Sequence, residues 1–557
     1  MAAGLLTRLR ERPEPAPEFL ERPQLASDVL VHEPSEPGQP WVAQRGTREY
    51  LRIGKDLARL MLAMDGQRNA TELAELLGPP WTAETVERIV RQLADKRMLA
   101  DGRRRRRSAT PWVKYIPPIT LQITLLRPAG AAKALAPIAA AVTSRWGTIA
   151  CWLFGAAGVL ALILQGGMLG DALSTPLPYT VYPVLMAASL LGMTLHEFSH
   201  GVALVHYGGR PSRLGVMLFY LMPAFFCDVT DGWRLPHNWQ RVRVALAGVA
   251  VQALFGSAAA LASLALTFVD GTTGLRYGLL VVACGNMLVG LLNLIPFVKL
   301  DGYIALMSKV DIPHLRQRSM AEGRRLLARW LFGGRYEQEV SGPRWIPYFG
   351  LACMTFPIVL VTMALSHWVD LLARSGAIGT IALMLGAGCL AFYLVRGAVR
   401  VLREGIRARA NPFRMAVTTI GIVAVVVFGL HTITLPYTVS GGYLRTDEGT
   451  FLVMPTNQAH IDIDAGAELR LGRGGVALQQ MSGSGIVTSS ESEPSQAPVS
   501  VLSPIVLPDL FVLPVHRYPI EVVQEPDQPQ GVATVHLRDV PLWEWIYLTY
   551  AEPVLKW

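Results

Sequence analysis

The chain has 557 residues, 51% hydrophobic and 17% charged, with a mean hydropathy of +0.33. Soluble domains carry roughly 25% charged residues, so a disordered chain, a disulfide scaffold and an ordinary cytosolic enzyme are excluded. The formal charge is +9: residues 433–557 hold 14 Asp/Glu and 6 Lys/Arg, a net −8, and the remaining 45 bases and 28 acids give residues 1–432 a net +17. A basic front and an acidic end imply parts that live in different places.

Residues 1–44 are rich in Pro and Glu and read as a flexible arm without the apolar core of a signal peptide. Residues 45–102 change character. Leu57, Leu60, Met61 and Met64 recur at helical spacing, as do Leu73, Leu76 and Leu77, then Val86, Ile89, Val90 and Leu93. Asn69 or Thr71 suits the cap of the second helix, and Thr82 with Glu84 the start of the third. A basic linker with an amphipathic segment, 103–146, opens on the run Arg103 to Arg107. That run reads as a topology signal or a contact for anionic lipid. No aromatic interleaving points to nucleic acid.

Seven apolar stretches follow, each long enough for the roughly 20 residues a spanning helix needs: 147–169, 181–206, 244–268, 278–298, 346–369, 376–395 and 415–432. The stretch 214–227 is too short to span and is broken by Pro223, which suggests a re-entrant hairpin. Loop 207–243 holds five arginines, loop 299–345 nine Lys/Arg, and six arginines lie between Arg396 and Arg414. The alternate loops 170–180, 269–277 and 370–375 carry only Arg276 and Arg374. The positive-inside rule then puts the N-terminus in the cytoplasm and, with seven spans, the C-terminus outside. Residues 433–557 alternate short Val/Ile/Leu/Tyr runs with Gly, Pro and Ser, the pattern of an all-β domain, with 481–499 as a flexible loop. Cys151, Cys227, Cys284, Cys353 and Cys389 sit in or beside apolar stretches and read as buried small hydrophobes. The expected fold is a multi-span α-helical membrane protein with a small N-terminal winged-helix-like domain (45–102), a transmembrane domain (147–432) and an extracytoplasmic β-rich domain (433–557).

The chemistry concentrates at His196-Glu197-Phe198-Ser199-His200. Residues four apart share a helix face, so both imidazoles can hold one metal. Glu197 is then placed to take a proton from a water whose pKa zinc lowers towards about 7. Three ionisable side chains inside an apolar helix are costly and mark function, with a polar cluster that stabilises helix packing as the alternative. For a third ligand, His206 completes a spacing found in some soluble zinc proteases, but Ala203 stands where those have a glycine turn. Six further residues of helix rise about 9 Å, too far to share a tetrahedron, so His206 reads as a polar helix end. Asp301, in Asn293-Leu294-Ile295-Pro296-Phe297-Val298-Lys299-Leu300-Asp301-Gly302, lies at the inner end of the fourth span, at a depth similar to the two histidines. Asp228 and Asp231 read either as acids that gate substrate or bind metal, or as solvated turn acids.

An HExxH helix followed about a hundred residues later by N-x-x-P-x-x-x-L-D-G resembles the site-2 protease family of intramembrane zinc metalloproteases, over roughly 181–303. The resemblance implies His196, His200 and Asp301 as ligands of Zn2+ and Glu197 as general base. It implies Asn293 as the residue that holds the substrate backbone or oxyanion. Val298 departs from the second proline of many members, which bears on substrate fit. Residues 47–102 resemble PqqD-like domains, which bind leader segments of ribosomally made, modified peptides by adding a strand to a sheet edge. A DNA-binding winged helix shares this helical pattern. The tail is similar to adaptor-like domains of export-associated members. The layout as a whole resembles the leader-removing membrane proteases of daptide-type pathways, so the expected partners are a precursor peptide and the lipid bilayer, with no nucleic acid. A regulatory protease that cuts a membrane-bound signalling protein, and a non-catalytic export or immunity protein, are the alternatives. Oligomeric state is not legible.

Overall fold

The structure is a computed structural model and describes residues 20–33, 41–45, 49–100, 112–116, 120–219, 222–312, 314–335, 343–374, 376–456, 461–508 and 511–552. The arginine run 103–107 lies outside these. Two compact units are distinguished, Met1–Ile149 with Met193–Val251 and Ala150–Gly192 with Gln252–Trp557.

The first unit begins with an antiparallel sheet of β1 (Val29–His32), β2 (Trp41–Arg45) and β3 (Glu49–Ile53) in that order. Strand β1 therefore falls within the stretch expected to be a flexible arm. Three helices follow: α1 (Lys55–Ala63), α2 (Ala70–Leu77) and α3 (Ala83–Asp95). Asn69 caps α2 in a full capping box with Glu72, and Thr82 Oγ1 accepts from Thr85 N at 3.3 Å at the start of α3. Most of the expected periodic residues form a core, with Leu60, Met61, Leu73 and Val86 fully buried, whereas Leu76 is exposed.

Next come β4 (Val113–Ile116), β5 (Thr120–Leu126) and α4 (Ala129–Thr143). The apolar helices α5 (Arg145–Leu164) and α6 (Gly166–Ser174), the short strand β6 (Leu177–Pro178) and the long helix α7 (Val181–His206) follow. The short apolar stretch after α7 is a hairpin, β7 (Leu214–Phe219) and β8 (Met222–Cys227). It completes a four-stranded antiparallel sheet ordered β4-β5-β7-β8, so β8 is an edge strand.

The chain continues through α8 (Asn238–Ala265), α9 (Thr273–Asn293), α10 (Asp301–Val310), α11 (Leu315–Phe332), α12 (Ile346–Arg374), α13 (Gly376–Arg407) and α14 (Pro412–Thr432). Seven helical segments are long and apolar enough to cross a membrane: Arg145–Leu164, Val181–His206, Asn238–Phe268, Thr273–Asn293, Ile346–Met363, Ile381–Arg407 and Pro412–Thr432. Within the second unit the spans meet through small residues. Ala161, Ala259, Ala260 and Ala283 form a buried cluster, and a Cβ on Gly158 would lie 2.2 Å from Ser257 Cβ. Lipid tails give no hydrophobic gain for helix pairing, so close packing and hydrogen bonds carry it. Gln165 Nε2 donates to the Ala260 carbonyl at 3.2 Å and Ser263 Oγ to Gln165 Oε1 at 3.0 Å.

The C-terminal region is a β domain, as the alternation predicts. Its long strands are β9 (Thr434–Thr446), β10 (Gly449–Pro455), β11 (Glu468–Gly474), β12 (Gln479–Val487), β13 (Glu493–Pro498), β15 (Val512–Gln524) and β16 (Gln530–Pro541), with a two-residue strand β14 (Ile505–Val506) between β13 and β15. The order is β10-β9-β16-β11-β12-β15-β13, and β10 also pairs with β15, which closes six strands into a ring. Tyr443, Leu471 and Val535 fill its interior. Of the expected loop 481–499, residues 481–487 instead belong to β12 of this ring, and 493–498 form β13, which pairs with β15 outside it. Glycine is what lets β12 pair, because a Cβ on Gly483 would lie 2.7 Å from the Gln524 carbonyl and one on Gly485 2.8 Å from that of Glu521. Strand β14 runs parallel to β6, and the Tyr182 hydroxyl donates to the Pro504 carbonyl.

Candidate metal centre

Helix α7 carries the HExxH segment in a run dominated by Leu, Ala, Val and Met, with both imidazoles buried. His196 Nε2 and His200 Nε2 are 3.3 Å apart. Two nitrogens bound to one zinc at about 2.0–2.1 Å on a tetrahedron stand about 3.3 Å apart. The pair therefore has the spacing of a chelate. His200 Nδ1 lies 2.7 Å from the Val244 carbonyl of α8, which can only accept, so Nδ1 carries the proton and Nε2 keeps its lone pair.

Helix α8 also supplies room. A Cβ on Gly248 would lie 2.5 Å from His196 Cε1 and 2.6 Å from both His196 Nε2 and His200 Nε2. Any larger residue there would displace the imidazoles. Val244, Gly248 and Gln252 are spaced by four, so one face of α8 presents a carbonyl, a gap and an amide in succession.

Glu197, between the histidines, is half-buried, and its Oε2 accepts the backbone N–H of Cys227 at 2.8 Å. The last residue of edge strand β8 thus fixes one carboxylate oxygen. Burial, and then the carboxylates of Glu197 and Asp228, push the Cys227 thiol far up.

Asp301 opens α10, and Gly302 behind it is required by space: a Cβ there would lie 2.0 Å from the Leu294 carbonyl. The loop 294–300 therefore folds tightly against the residue that follows Asp301. His196, His200 and Asp301 each offer a ligand atom, all within 4.8 Å of one another, a group that could hold a metal ion. Two imidazoles and a carboxylate are a donor set that zinc accepts.

The other expected residues have different surroundings. Asn293 ends α9, and its Nδ2 donates to Gln252 Oε1 at a long 3.5 Å. His206 ends α7, with its Nε2 3.3 Å from Thr143 Oγ1. Asp228 forms a buried ion pair with Arg213 at 3.4 Å and accepts from Thr230, and Asp231 accepts from Arg210 N at 2.8 Å and pairs with Arg234. Both acids tie the segment after the hairpin together. Sequence reasoning placed α8 as a span, 244–268, but missed its part in the site. Its signal was there as the four-residue spacing of Gly248 and Gln252 within an apolar helix.

No family model matches the chain, and no match was found among curated proteins or solved structures.

Proposed function

We propose that this chain is an integral membrane zinc metallopeptidase that removes the leader from a ribosomally made, modified precursor peptide. The reading rests on one observation above all: His196, His200 and Asp301 converge as a possible metal group with Glu197 between the two histidines. When bound, zinc supplies Lewis acidity for the scissile carbonyl and lowers the pKa of water to about 7.

The chain's own residues carry the rest. Glu197, steadied by the Cys227 amide, takes the proton from the attacking water and passes it to the leaving amine as the peptide C–N bond breaks. The Val244 carbonyl holds His200 in the tautomer that coordinates through Nε2. Asn293, steered by Gln252, donates to the substrate backbone or to the developing oxyanion. Apolar helix around the site excludes bulk water, which strengthens each of these interactions.

The leader docks on the N-terminal domain, whose sheet has β1 and β3 as its edge strands among the described residues, either of which could take an added strand. The N-terminus is cytoplasmic and the β ring extracytoplasmic, in keeping with the excess of arginine on alternate loops. The test is processing of the precursor co-produced with the chain. Glu197→Gln is expected to abolish cleavage while the protein and its metal remain. Unchanged processing by that variant sinks the protease reading. Deleting residues 45–102 is expected to remove precursor binding; binding at full strength gives that domain another role.

A further inference from the structure

The arginine-rich end of α13 poses a question that the metal centre does not answer. Arg396, Arg400, Arg403 and Arg407 are spaced by four, three and four, so they fall on one stripe of the helix, and all four are exposed. Just before them, Phe392, Tyr393, Val395 and Val399 are exposed apolar or aromatic residues on the same membrane-length segment. Arg396 lies over the Phe392 ring at 5.8 Å from its centroid.

Helix α11 packs beside this end, with Ala328 and Phe332 against Val401 and Ala410. Arg324 of α11 lies within electrostatic reach of Arg400. Arg324 has a buried Nε without a hydrogen-bond partner, and among the described residues no carboxylate lies within ion-pair distance of Arg324, Arg400 or Arg403. The two nearby acids are engaged elsewhere: Glu322 binds Arg325 at 2.8 Å and Glu404 binds Arg407 at 3.3 Å. Burial, followed by repulsion from Arg400, holds Arg324 below the usual arginine range, and Glu404 offsets only part of this.

Guanidiniums gathered by the fold without matching acids form a site for an anion, and their planar donors fit phosphate oxygens. The exposed apolar surface that runs into the cluster selects an anion with acyl chains over a free one, since the chains cover Phe392 and Val395 while the head group meets the arginines. We propose that Arg324 of α11 and Arg400 of α13, flanked by Arg396 and Arg403, bind the phosphate head group of an anionic phospholipid.

The test is lipid binding to the purified full-length chain, followed by native mass spectrometry with phosphatidylglycerol and phosphatidylcholine of identical acyl chains. The wild type is expected to retain phosphatidylglycerol in preference, and equal retention of the two lipids overturns the site without any variant. Arg324→Gln with Arg400→Gln is expected to weaken phosphatidylglycerol by about fivefold per arginine removed, with phosphatidylcholine unchanged. Binding within twofold of wild type overturns the proposal. Arg324→Lys with Arg400→Lys, which keeps the charge, is expected to recover part of the loss and guards against misfolding of the Gln pair. Displacement of the lipid by millimolar inorganic phosphate would make this a free-phosphate site and overturn the lipid assignment.

Discussion

The backbone N–H of Cys227 donates to Glu197 Oε2 at 2.8 Å, so the edge of a β-hairpin aims the carboxylate of a membrane-length helix. A side chain aimed by a fixed amide loses that aim when it is shortened. Glu197→Asp keeps the charge but withdraws the carboxylate by one methylene. Misplacement on the scale of 1 Å costs about 100-fold. Precursor cleavage by this variant should fall by about that factor with metal content unchanged. Cleavage at the wild-type rate would show that the Cys227 contact has no part in positioning.

Gly248 tests the space given to the metal. Alanine there puts a methyl 2.6 Å from both His196 Nε2 and His200 Nε2. Overpacking of this kind costs about 1–3 kcal/mol, and displaced ligands lose about 10–100-fold in metal affinity. Titration of the purified variant with a zinc chelator of known strength checks this. Wild-type affinity would mean that α8 yields without moving the histidines.

Gly302→Ala is expected to act from the other side. Its Cβ would meet the Leu294 carbonyl at 2.0 Å, against rigid backbone rather than a movable side chain. The loop that precedes Asp301 must then open, at a cost of about 1–3 kcal/mol or more. A lower melting temperature together with lost metal is the expected pair of results. An unchanged melting temperature would contradict the close approach.

The two terminal domains offer plainer stability tests. Asn69 accepts from Thr71 N and Glu72 N, so Asn69→Ala should lower the opening free energy of α2 by about 1 kcal/mol in hydrogen exchange. Leu471 is fully buried inside the β ring, and Leu471→Ala should cost about 2–5 kcal/mol, read as earlier proteolysis of residues 434–541 in the full chain. Protection equal to wild type would mean that the ring collapses onto the gap.

Much of this was legible because periodicity and burial cost act locally. The seven apolar helices, the caps at Asn69 and Thr82 and the HExxH spacing all follow from residues within a few turns of each other. What was not legible depends on distant partners. Residues 481–487 look like a loop because Ser and Gly have little strand preference, yet β11 and β15 pair with them on both edges. Val244 gives His200 a backbone carbonyl, which no residue-type pattern announces. The same holds for the Cys227 amide: a peptide N–H has no signature in sequence. Gly248 was visible as a residue but not as a gap, since its meaning comes from the two imidazoles opposite it.

Zinc content of the purified full-length chain tests the central claim most directly. Wild type and Glu197→Gln should each carry about one zinc per chain, because Glu197 is not a ligand, and His200→Ala should carry almost none. A His200→Ala protein with full zinc, or a wild type that binds none from a zinc buffer, would contradict a metal centre at His196, His200 and Asp301.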